Sequence, residues 1–326
     1  MNGFRRSGSR RSAGPAALVF AGALALSACG GGDAGGGSGD GEELSGKVKI
    51  DGSSTVAPLS TAAAEFYAEE QPKVRVTVGT SGTGGGFEKF CAGETDVSDA
   101  SRPIEDDEKK LCEKKGIKYE ELSVANDALT IVVNKDAKWV ECLTTAQLKK
   151  IWQPGSKVKS WKQIDPKFPD EPLKLFGAGT DSGTFDYFTE AINGEEGASR
   201  TDYSPTEDDN VTVQGVAGSK GGLGYFGFSY FEENRKDLKA LKVDGGEGCV
   251  APSVETTQDG TYKPLSRPLF IYPTAKALQR PEVEGFVEFY VDNHARIAKD
   301  ARFVPLNGEQ DKELAADLKK LKERAE

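Results

Sequence analysis

The chain has 326 residues, which is more than one hydrophobic core usually holds, so we expect two domains of ordinary size. Its composition, 37% hydrophobic and 29% charged, is typical of a globular protein rather than of a disordered or membrane-spanning one. A single His and a net charge of -10 argue against a His-based metal centre, a Ser-His-Asp triad and non-specific binding to nucleic acid.

The N-terminus has the pattern of an export signal. Four arginines stand in the first twelve residues: Arg5, Arg6, Arg10 and Arg11. The apolar run Ala16 to Leu26 that follows is too short to span a bilayer. It ends in Leu26-Ser27-Ala28-Cys29, which resembles the bacterial lipobox, so we expect a signal peptide over 1–28 and a lipid, such as palmitate, on Cys29. The alternative is a secreted protein whose cleavage site happens to end in Cys.

A glycine-rich stretch follows Cys29. Eight of the twelve residues at 30–41 are Gly, so this stretch cannot build a core and is expected to be a flexible tether. With its lipidated Cys, the segment 29–44 would hold the rest of the chain at the outer face of the cell membrane.

The remaining cysteines are even in number: Cys91, Cys112, Cys142 and Cys249. In an exported chain this favours two disulfide bonds, for which three pairings are possible. We favour Cys91–Cys112, which closes a local loop, together with Cys142–Cys249, which closes a long one. No spacing typical of a metal site occurs among them, and we expect neither a metal nor a cofactor.

The chain then repeats one pattern three times: a short apolar strand, a turn rich in Gly, Ser and Thr, and an amphipathic helix. The strands are expected around residues 48–50, 74–78 and 173–175, and the helices around 56–67, 87–91 and 185–192.

The other predicted elements support an α/β architecture with largely parallel sheets. The continuous apolar run Leu129–Val133 predicts a buried central strand. Helical spacing predicts helices over Lys138–Trp152 and Phe286–Ile297, and a last helix around residues 314–321.

The three turns are candidates for binding an anion. The first turn of a helix exposes unpaired N–H groups, and small hydroxyl side chains add donors without adding bulk. Three such turns that met at one point would surround a tetrahedral oxyanion with donors. The alternative is that Ser and Thr only cap the helices. Arg102, the arginine nearest these turns along the chain, is a candidate partner for the anion, or else a surface residue that starts a loop.

Together these residues resemble the phosphate-binding protein of Pst-type ABC transporters, the PstS family of the periplasmic-binding-protein superfamily, over roughly residues 45–326. The segments that carry the resemblance are Asp51-Gly-Ser-Ser-Thr-Val-Ala-Pro58, Ser81-Gly-Thr-Gly-Gly-Gly-Phe87, Ala100-Ser-Arg-Pro103, Gly179-Thr-Asp-Ser-Gly-Thr-Phe185, Gln214-Gly-Val-Ala-Gly218 and Gly222-Leu-Gly-Tyr-Phe226.

The resemblance implies an α/β, two-domain periplasmic-binding-protein-like (type II) fold, with the ligand cleft between the domains. One domain would comprise 45–124 plus 267–326, and the other 125–266. The implied phosphate-binding residues are Ser54, Thr55, Val56, Ser81, Thr83, Ser101, Arg102, Ser182, Gly183 and Thr184.

Two departures from the family pattern stand out. Ser101 occupies the place of an Asp that accepts a hydrogen bond from protonated phosphate, and Ala178 occupies the place of an Arg. We expect Arg102 to supply the missing charge. Asp181 is a candidate substitute acceptor, or else faces solvent or caps its helix.

The function implied is that of a binding protein, not an enzyme. It would be a monomeric extracytoplasmic lipoprotein that captures inorganic phosphate and delivers it to the permease and ATPase subunits of an ABC transporter. The alternatives are a binder of another oxyanion such as sulfate or molybdate, an extracytoplasmic phosphate-ester hydrolase, and an adhesion or signalling lipoprotein without a ligand.

Overall fold

The computed structural model describes residues 43–180 and 182–325, so the predicted signal peptide, Cys29 and Asp181 lie outside the described residues. The strands are β1 (Gly46–Gly52), β2 (Val74–Gly79), β3 (Val97–Ala100), β4 (Leu122–Asn134), β5 (Cys142–Thr144), β6 (Lys174–Ala178), β7 (Ser204–Thr206), β8 (Gly222–Gly227), β9 (Leu238–Ala240), β10 (Lys242–Asp244), β11 (Cys249–Val250) and β12 (Ser266–Pro273).

The helices alternate with these strands over most of the chain. They are α1 (Ala57–Glu70), α2 (Gly82–Cys91), α3 (Asp106–Lys115), α4 (Thr145–Trp152), α5 (Gly183–Phe188), α6 (Asp209–Ala217), α7 (Phe228–Glu233), α8 (Val254–Gln258), α9 (Pro281–Asp292), α10 (His294–Asp300) and α11 (Gly308–Ala325). A π-helical segment, Thr189–Asn193, continues α5. No helix within the described ranges is both long and apolar enough to cross a membrane.

The main sheet runs in the order β2-β1-β3-β12-β4-β8-β6-β7, and β9 also pairs with β4. The outer groups are parallel: β1 pairs with β2 and β3, and β6 pairs with β7 and β8, and helices connect these strands along the chain. The middle is antiparallel, where β4 pairs with both β12 and β8. The expectation of a largely parallel sheet is therefore wrong for the middle of the molecule.

Two large hydrophobic cores lie on either side of the middle of β4. We call the part of the molecule around the first core, which includes Val48 and Phe286, the first lobe. The part around the second core, which includes Trp152 and Tyr225, is the second lobe. The predicted domain boundaries, after residues 124 and 266, fall inside β4 and β12 and stay a prediction.

The three predicted strand–turn–helix units are present as β1–α1, β2–α2 and β6–α5. Two predicted helices differ from the structure. The region 138–152 contains β5 before α4, because residues 142–144 pair with β10 and the helix begins only at Thr145, where Thr144 and Gln147 form its capping box. The helix predicted over 286–297 breaks at Asn293, whose side-chain amide donates to the carbonyl of Phe289.

Both disulfide bonds join the cysteines that we favoured. Cys91–Cys112 links α2 to α3, and Cys142–Cys249 links β5 to β11.

Candidate anion-binding site

A small polar cavity lies where the turns after β1, β2 and β3 of the first lobe face the start of α5 in the second lobe. Its lining is dominated by hydroxyl and charged side chains. The lining residues are Ser53, Ser54, Thr55, Gly82, Thr83, Ser101, Asp186, Tyr187, Glu190, Glu196 and Arg267. Four of the ten residues predicted to bind phosphate are among them: Ser54, Thr55, Thr83 and Ser101.

The first turn is held in place by the backbone of β3. The Ser53 N–H donates to the Asp99 carbonyl at 2.9 Å, and the N–H of Thr55 donates to the Ser53 hydroxyl at 3.2 Å. Gly52 has φ 148°, and a Cβ there would lie 2.1 Å from the Asp99 carbonyl oxygen, so this approach requires glycine. The hydroxyls of Ser54 and Thr55 thereby line the cavity. The Val56 side chain is buried in the first core, and its N–H donates to the Ser53 carbonyl.

The second turn contributes Thr83 to the cavity and directs Ser81 elsewhere. The N–H of Ser81 donates to Asp51 at 3.1 Å, and its hydroxyl donates to the same carboxylate oxygen at 2.5 Å. The Thr83 hydroxyl lies 3.1 Å from that of Ser101 and also accepts the Ser101 N–H at 3.3 Å. Of the two alternatives in this turn, it is therefore Thr83 that faces the cavity.

The third turn meets the first turn across the two lobes. The Thr55 hydroxyl donates to the Gly183 carbonyl at 3.3 Å, and a Cβ on Gly183 would lie 2.9 Å from the Thr55 Cα. The Ser182 hydroxyl accepts the Thr184 N–H at 3.2 Å. Ser182 therefore caps its helix, which is the alternative to anion binding that the sequence left open. Neither Ser182 nor Thr184 lines the cavity.

Arg102 is engaged away from the cavity. Its guanidinium donates to both carboxylate oxygens of Glu108 at 2.8 Å and lies 3.3 Å from Glu105. These carboxylates raise the pKa of Arg102 further above its ordinary value. Since it does not line the cavity and its charge is paired with Glu108, Arg102 is a weak candidate for the charge that holds the anion.

The cation that lines the cavity is Arg267, which sequence reasoning missed. Its Nη2 donates to the Thr55 hydroxyl at 3.1 Å, its Nε donates to Asp127 at 3.4 Å, and its guanidinium lies 3.5 Å from the centre of the Tyr187 ring. The sequence did hold a signal, because the tripeptide Ser-Arg-Pro at 101–103 recurs at 266–268.

Carboxylates surround this arginine. Burial raises the pKa of Asp127, which the charge of Arg267 partly lowers. The pKa of Asp186 is raised by burial, although the Ser54 hydroxyl and Arg267 oppose the shift. The pKa of Glu196 is raised by burial and by the nearby Asp186 and Glu190. A bound anion would thus be held by Arg267 and hydroxyl groups against several negative charges.

The groups that line the cavity suit the binding of an oxyanion. Hydroxyl donors and a fixed guanidinium are the groups that recognise an oxyanion. Within the described residues, no group of three or more His, Cys, Asp or Glu side chains is placed to hold a metal ion.

Comparison with known proteins places the fold in a family. A model of the PBP superfamily domain matches residues 37–294. Protein SphX from Synechococcus elongatus is 50% identical over 262 residues, which cover 79% of this chain and 77% of that protein. Phosphate-binding protein PstS from Staphylococcus saprophyticus is 44% identical over 285 residues, covering 87% of this chain and 86% of that one.

A solved structure of a similar protein points to the same family as these relatives. The crystal structure of a possible phosphate binding protein from Planctomyces limnophilus matches with a TM-score of 0.82 at 47% identity, over 86% of this chain and 99% of that one. The predicted periplasmic-binding-protein-like α/β fold is thereby confirmed. The chain therefore belongs to the PBP superfamily and, within it, to the PstS family of phosphate-binding proteins.

Proposed function

We propose that the chain binds inorganic phosphate in the cavity between its lobes and performs no chemistry on it. The observation that carries the proposal is the cavity itself, in which hydroxyl groups and the guanidinium of Arg267 converge. The 44% identity to a PstS phosphate-binding protein supports phosphate as the anion. The protein would act as the substrate-binding component of a phosphate ABC transporter.

The phosphate contacts are proposed from the positions of the side chains. The hydroxyls of Ser54, Thr55, Thr83 and Ser101 would donate to phosphate oxygens, and Arg267 would neutralise its charge. Backbone N–H groups of Val56, Gly183 and Thr184 stay proposed contacts, for which the N–H groups of Val56 and Thr184 would have to leave or share their hydrogen bonds to Ser53 and Ser182. Ser81, Arg102 and Ser182 bind partners within the protein and would support the turns rather than touch the anion.

We propose that a lipid anchor holds the protein where it can deliver phosphate to the transporter. A signal peptide over 1–28 and a lipid on Cys29 would place the protein as a monomer at the outer face of the cell membrane, where it meets the permease and ATPase subunits. Changing Cys29→Ala should release the protein from the membrane fraction or block its maturation. Unchanged fractionation and unchanged mass would contradict lipidation.

The ligand is tested by titrating the purified mature chain calorimetrically with phosphate, sulfate and molybdate. We expect phosphate to bind most tightly, and no turnover of a generic phosphomonoester. Tighter binding of sulfate or molybdate would assign another oxyanion, turnover would indicate a hydrolase, and no binding at all would leave an adhesion or signalling role.

A further inference from the structure

The segment 149–174 of the second lobe is basic in an otherwise acidic chain. It contains seven lysines and three acids, whereas the chain as a whole has a net charge of -10. All seven lysines are exposed, and within the described residues only one of them, Lys159, forms a salt bridge, with Asp202. We call five of the others the basic face: Lys150, Lys157, Lys162, Lys167 and Lys174.

A buried tryptophan fixes the loop that carries two of these lysines. Trp161 is fully buried, and its indole N–H donates to the Gly221 carbonyl at 3.0 Å. The ring centre of Phe168 lies 5.9 Å from that of Trp161. Lys162 and Lys167 directly adjoin these two aromatic residues and point to solvent, so the packing of the rings holds both ammonium groups on one surface.

Hydrogen bonds bring the neighbouring segments to the same surface. The Lys150 ammonium, at the end of α4, donates to the carbonyl of Gln163 in the turn that contains the buried tryptophan. The N–H of Leu173, directly before β6, donates to the Lys159 carbonyl at 2.9 Å. The stretch that carries Lys157 therefore lies beside the start of β6, and the lysines of the basic face are neighbours in space.

The strand β6 separates the basic face from the cavity. It begins at Lys174 and ends at Ala178, and the helix that follows it, α5, contributes Asp186 to the lining of the cavity. Because a strand rises about 3.3 Å per residue, the two ends of β6 are roughly 13 Å apart. An anion in the cavity is thus out of reach of the basic face, whose partner must be another molecule.

The predicted tether enters the first lobe at a corresponding position. The strand β1 begins at Gly46 and ends at Gly52, directly before the turn that lines the cavity, so the chain reaches β1 at the end away from the cavity. Even fully extended, the predicted tether 29–44 spans only roughly 50 Å. A lipid on Cys29 would keep the body within that distance of a membrane, where anionic headgroups attract lysines close to the surface.

We infer that the basic face is an interaction surface that binds the anionic phospholipid headgroups of the membrane to which the chain is proposed to be tethered. The inference rests on the proposed function, which places a lipid on Cys29. Such a surface repels the acidic remainder of the chain, so the basic face also determines which side of the second lobe approaches it. The contact leaves the cavity, at the other end of β6, open to its ligand.

The competing explanation is that these lysines only keep the surface hydrated, as exposed lysines do in many soluble proteins. In that case anionic and neutral membranes would bind the chain equally weakly. A soluble polyanion is a different partner, which the same experiment separates from a membrane.

The experiment measures co-sedimentation of the mature chain with lipid vesicles. Cys29→Ala removes the proposed acylation site, so that no lipid on the protein attaches it to the vesicles. The vesicles contain phosphatidylcholine alone or mixed with phosphatidylglycerol. Each is used at low salt and at about 0.5 M salt, where charges are screened beyond about 5 Å.

Two variants with the same change of net charge are compared. The test variant combines Lys157→Gln, Lys162→Gln, Lys167→Gln and Lys174→Gln. The control variant makes the same replacement at four exposed lysines elsewhere in the chain, namely Lys114, Lys115, Lys276 and Lys312. Thermal unfolding and calorimetric titration with phosphate verify that fold and cavity are intact in both.

At low salt we expect the parent to bind the anionic vesicles at least about tenfold more tightly than the neutral ones, and to lose this preference at high salt. The test variant should bind the anionic vesicles at least about tenfold more weakly than the parent, and the control less than about threefold more weakly. Failure of the parent to bind anionic vesicles at low salt, or equal losses in both variants, would overturn the inference.

Two further outcomes separate the possible partners and the two proposals. If soluble polyphosphate binds more tightly, per phosphate group, than the anionic vesicles do, the basic face is a site for a polyanionic polymer and the inference is wrong. A parent that binds the anionic vesicles as expected but binds no phosphate would overturn the proposed phosphate binding and support the membrane contact.

Discussion

At the scale of the residue, Arg267 is the feature on which the proposed site depends. Its guanidinium contacts the Thr55 hydroxyl, the Asp127 carboxylate and the Tyr187 ring, so its orientation is fixed before a ligand arrives. A preorganised cation loses little freedom on binding, which is why we expect it to contribute more than a mobile surface charge.

Replacing Arg267 should abolish most phosphate binding. We expect Arg267→Gln to weaken phosphate binding by about 2–5 kcal/mol, the cost of removing a desolvated charge from an anion. The change also leaves the buried Asp127 without its partner and should lower the free energy of unfolding.

A double variant, Asp127→Asn with Arg267→Gln, separates the two effects, because it should recover stability but not phosphate affinity. Arg102→Ala is the matched control, since its charge is paired with Glu108, and it should weaken binding by less than about 1 kcal/mol. If Arg102→Ala costs more affinity than Arg267→Gln, the assignment of the binding cation is wrong.

Gly183 offers a second test at this scale. A Cβ on Gly183 would lie 2.8–2.9 Å from atoms of Thr55 in the opposite lobe. Gly183→Ala should therefore keep the two turns apart and weaken phosphate binding by about tenfold or more, since small misplacements at a site are costly. Thermal unfolding should change little. Gly227→Ala, whose Cβ would have its nearest neighbour at 4.0 Å, serves as control, and equal affinity in both variants would contradict the tight contact.

At the scale of the element, the buried carboxyl of Asp99 links β3 to the helices that pack on it. Asp99 is fully buried, and its Oδ1 accepts a hydrogen bond of 2.8 Å from Ser60 of α1, whose hydroxyl lies 3.5 Å from that of Tyr290 on α9. Burial raises the pKa of Asp99 to about 8, so the neutral carboxyl joins three elements of the first lobe at neutral pH.

This acid makes stability depend on pH in a defined direction. Its pKa is 3.8 in the ordinary state and about 8 when folded, so unfolding releases a proton between these values, and stability falls as pH rises from about 4 to about 8. Asp99→Asn cannot ionise. Relative to the parent, its free energy of unfolding should rise with pH by up to about 1.4 kcal/mol per pH unit in that window.

Urea unfolding at several pH values between 5 and 9 measures the difference. Asp107→Asn, at an exposed position on α3, should leave the pH profile as it is in the parent. A constant difference between Asp99→Asn and the parent at all pH values would show that Asp99 is ionised in the folded protein.

The elements that sequence reasoning predicted are the local ones. The three strand–turn–helix units depend on the periodicity and turn residues of about twenty consecutive positions, which the sequence displays directly. The strand β5 depends on pairing with β10, which lies far along the chain and leaves no local signature. The break at Asn293 accompanies a side-chain bond to the carbonyl of Phe289, four residues earlier, which the spacing of apolar residues does not show.

The candidate site likewise contains residues that the sequence could predict and one that it could not. Ser54, Thr55, Thr83 and Ser101 follow strands whose ends meet, so their convergence could be predicted. Arg267 lies 212 residues from Thr55 along the chain, and its role appears only once β12 is placed beside β4. Proximity along the sequence favoured Arg102 instead, and the acid at position 108, which pairs with it, had no predicted role.

At the scale of the whole molecule, the two lobes share the strand β4. Its first part pairs with β12 and its last part with β8, so one continuous strand takes part in both halves of the sheet. The cavity lies where the lobes face each other. Movement of one lobe against the other, the expected way for such proteins to enclose a ligand, must therefore bend this strand or its partners.

The two disulfide bonds should contribute unequally to stability. Cys91 and Cys112 are 21 residues apart, whereas Cys142 and Cys249 are 107 apart. Because the longer loop restricts the unfolded chain more, removing the Cys142–Cys249 bond by Ala substitution should cost about 1.5 kcal/mol more than removing the other. Urea unfolding of the two double variants measures this, and a larger loss for Cys91–Cys112 would contradict it.

The Cys142–Cys249 bond also makes the backbone of most of the second lobe into a covalent ring. A protease that cuts once anywhere between these residues opens the ring but frees no fragment, because both new ends stay attached through the sulfur bridge. In a protein proposed to work outside the cytoplasm, both pieces would thus stay joined after a single cleavage. They would separate only under reducing conditions.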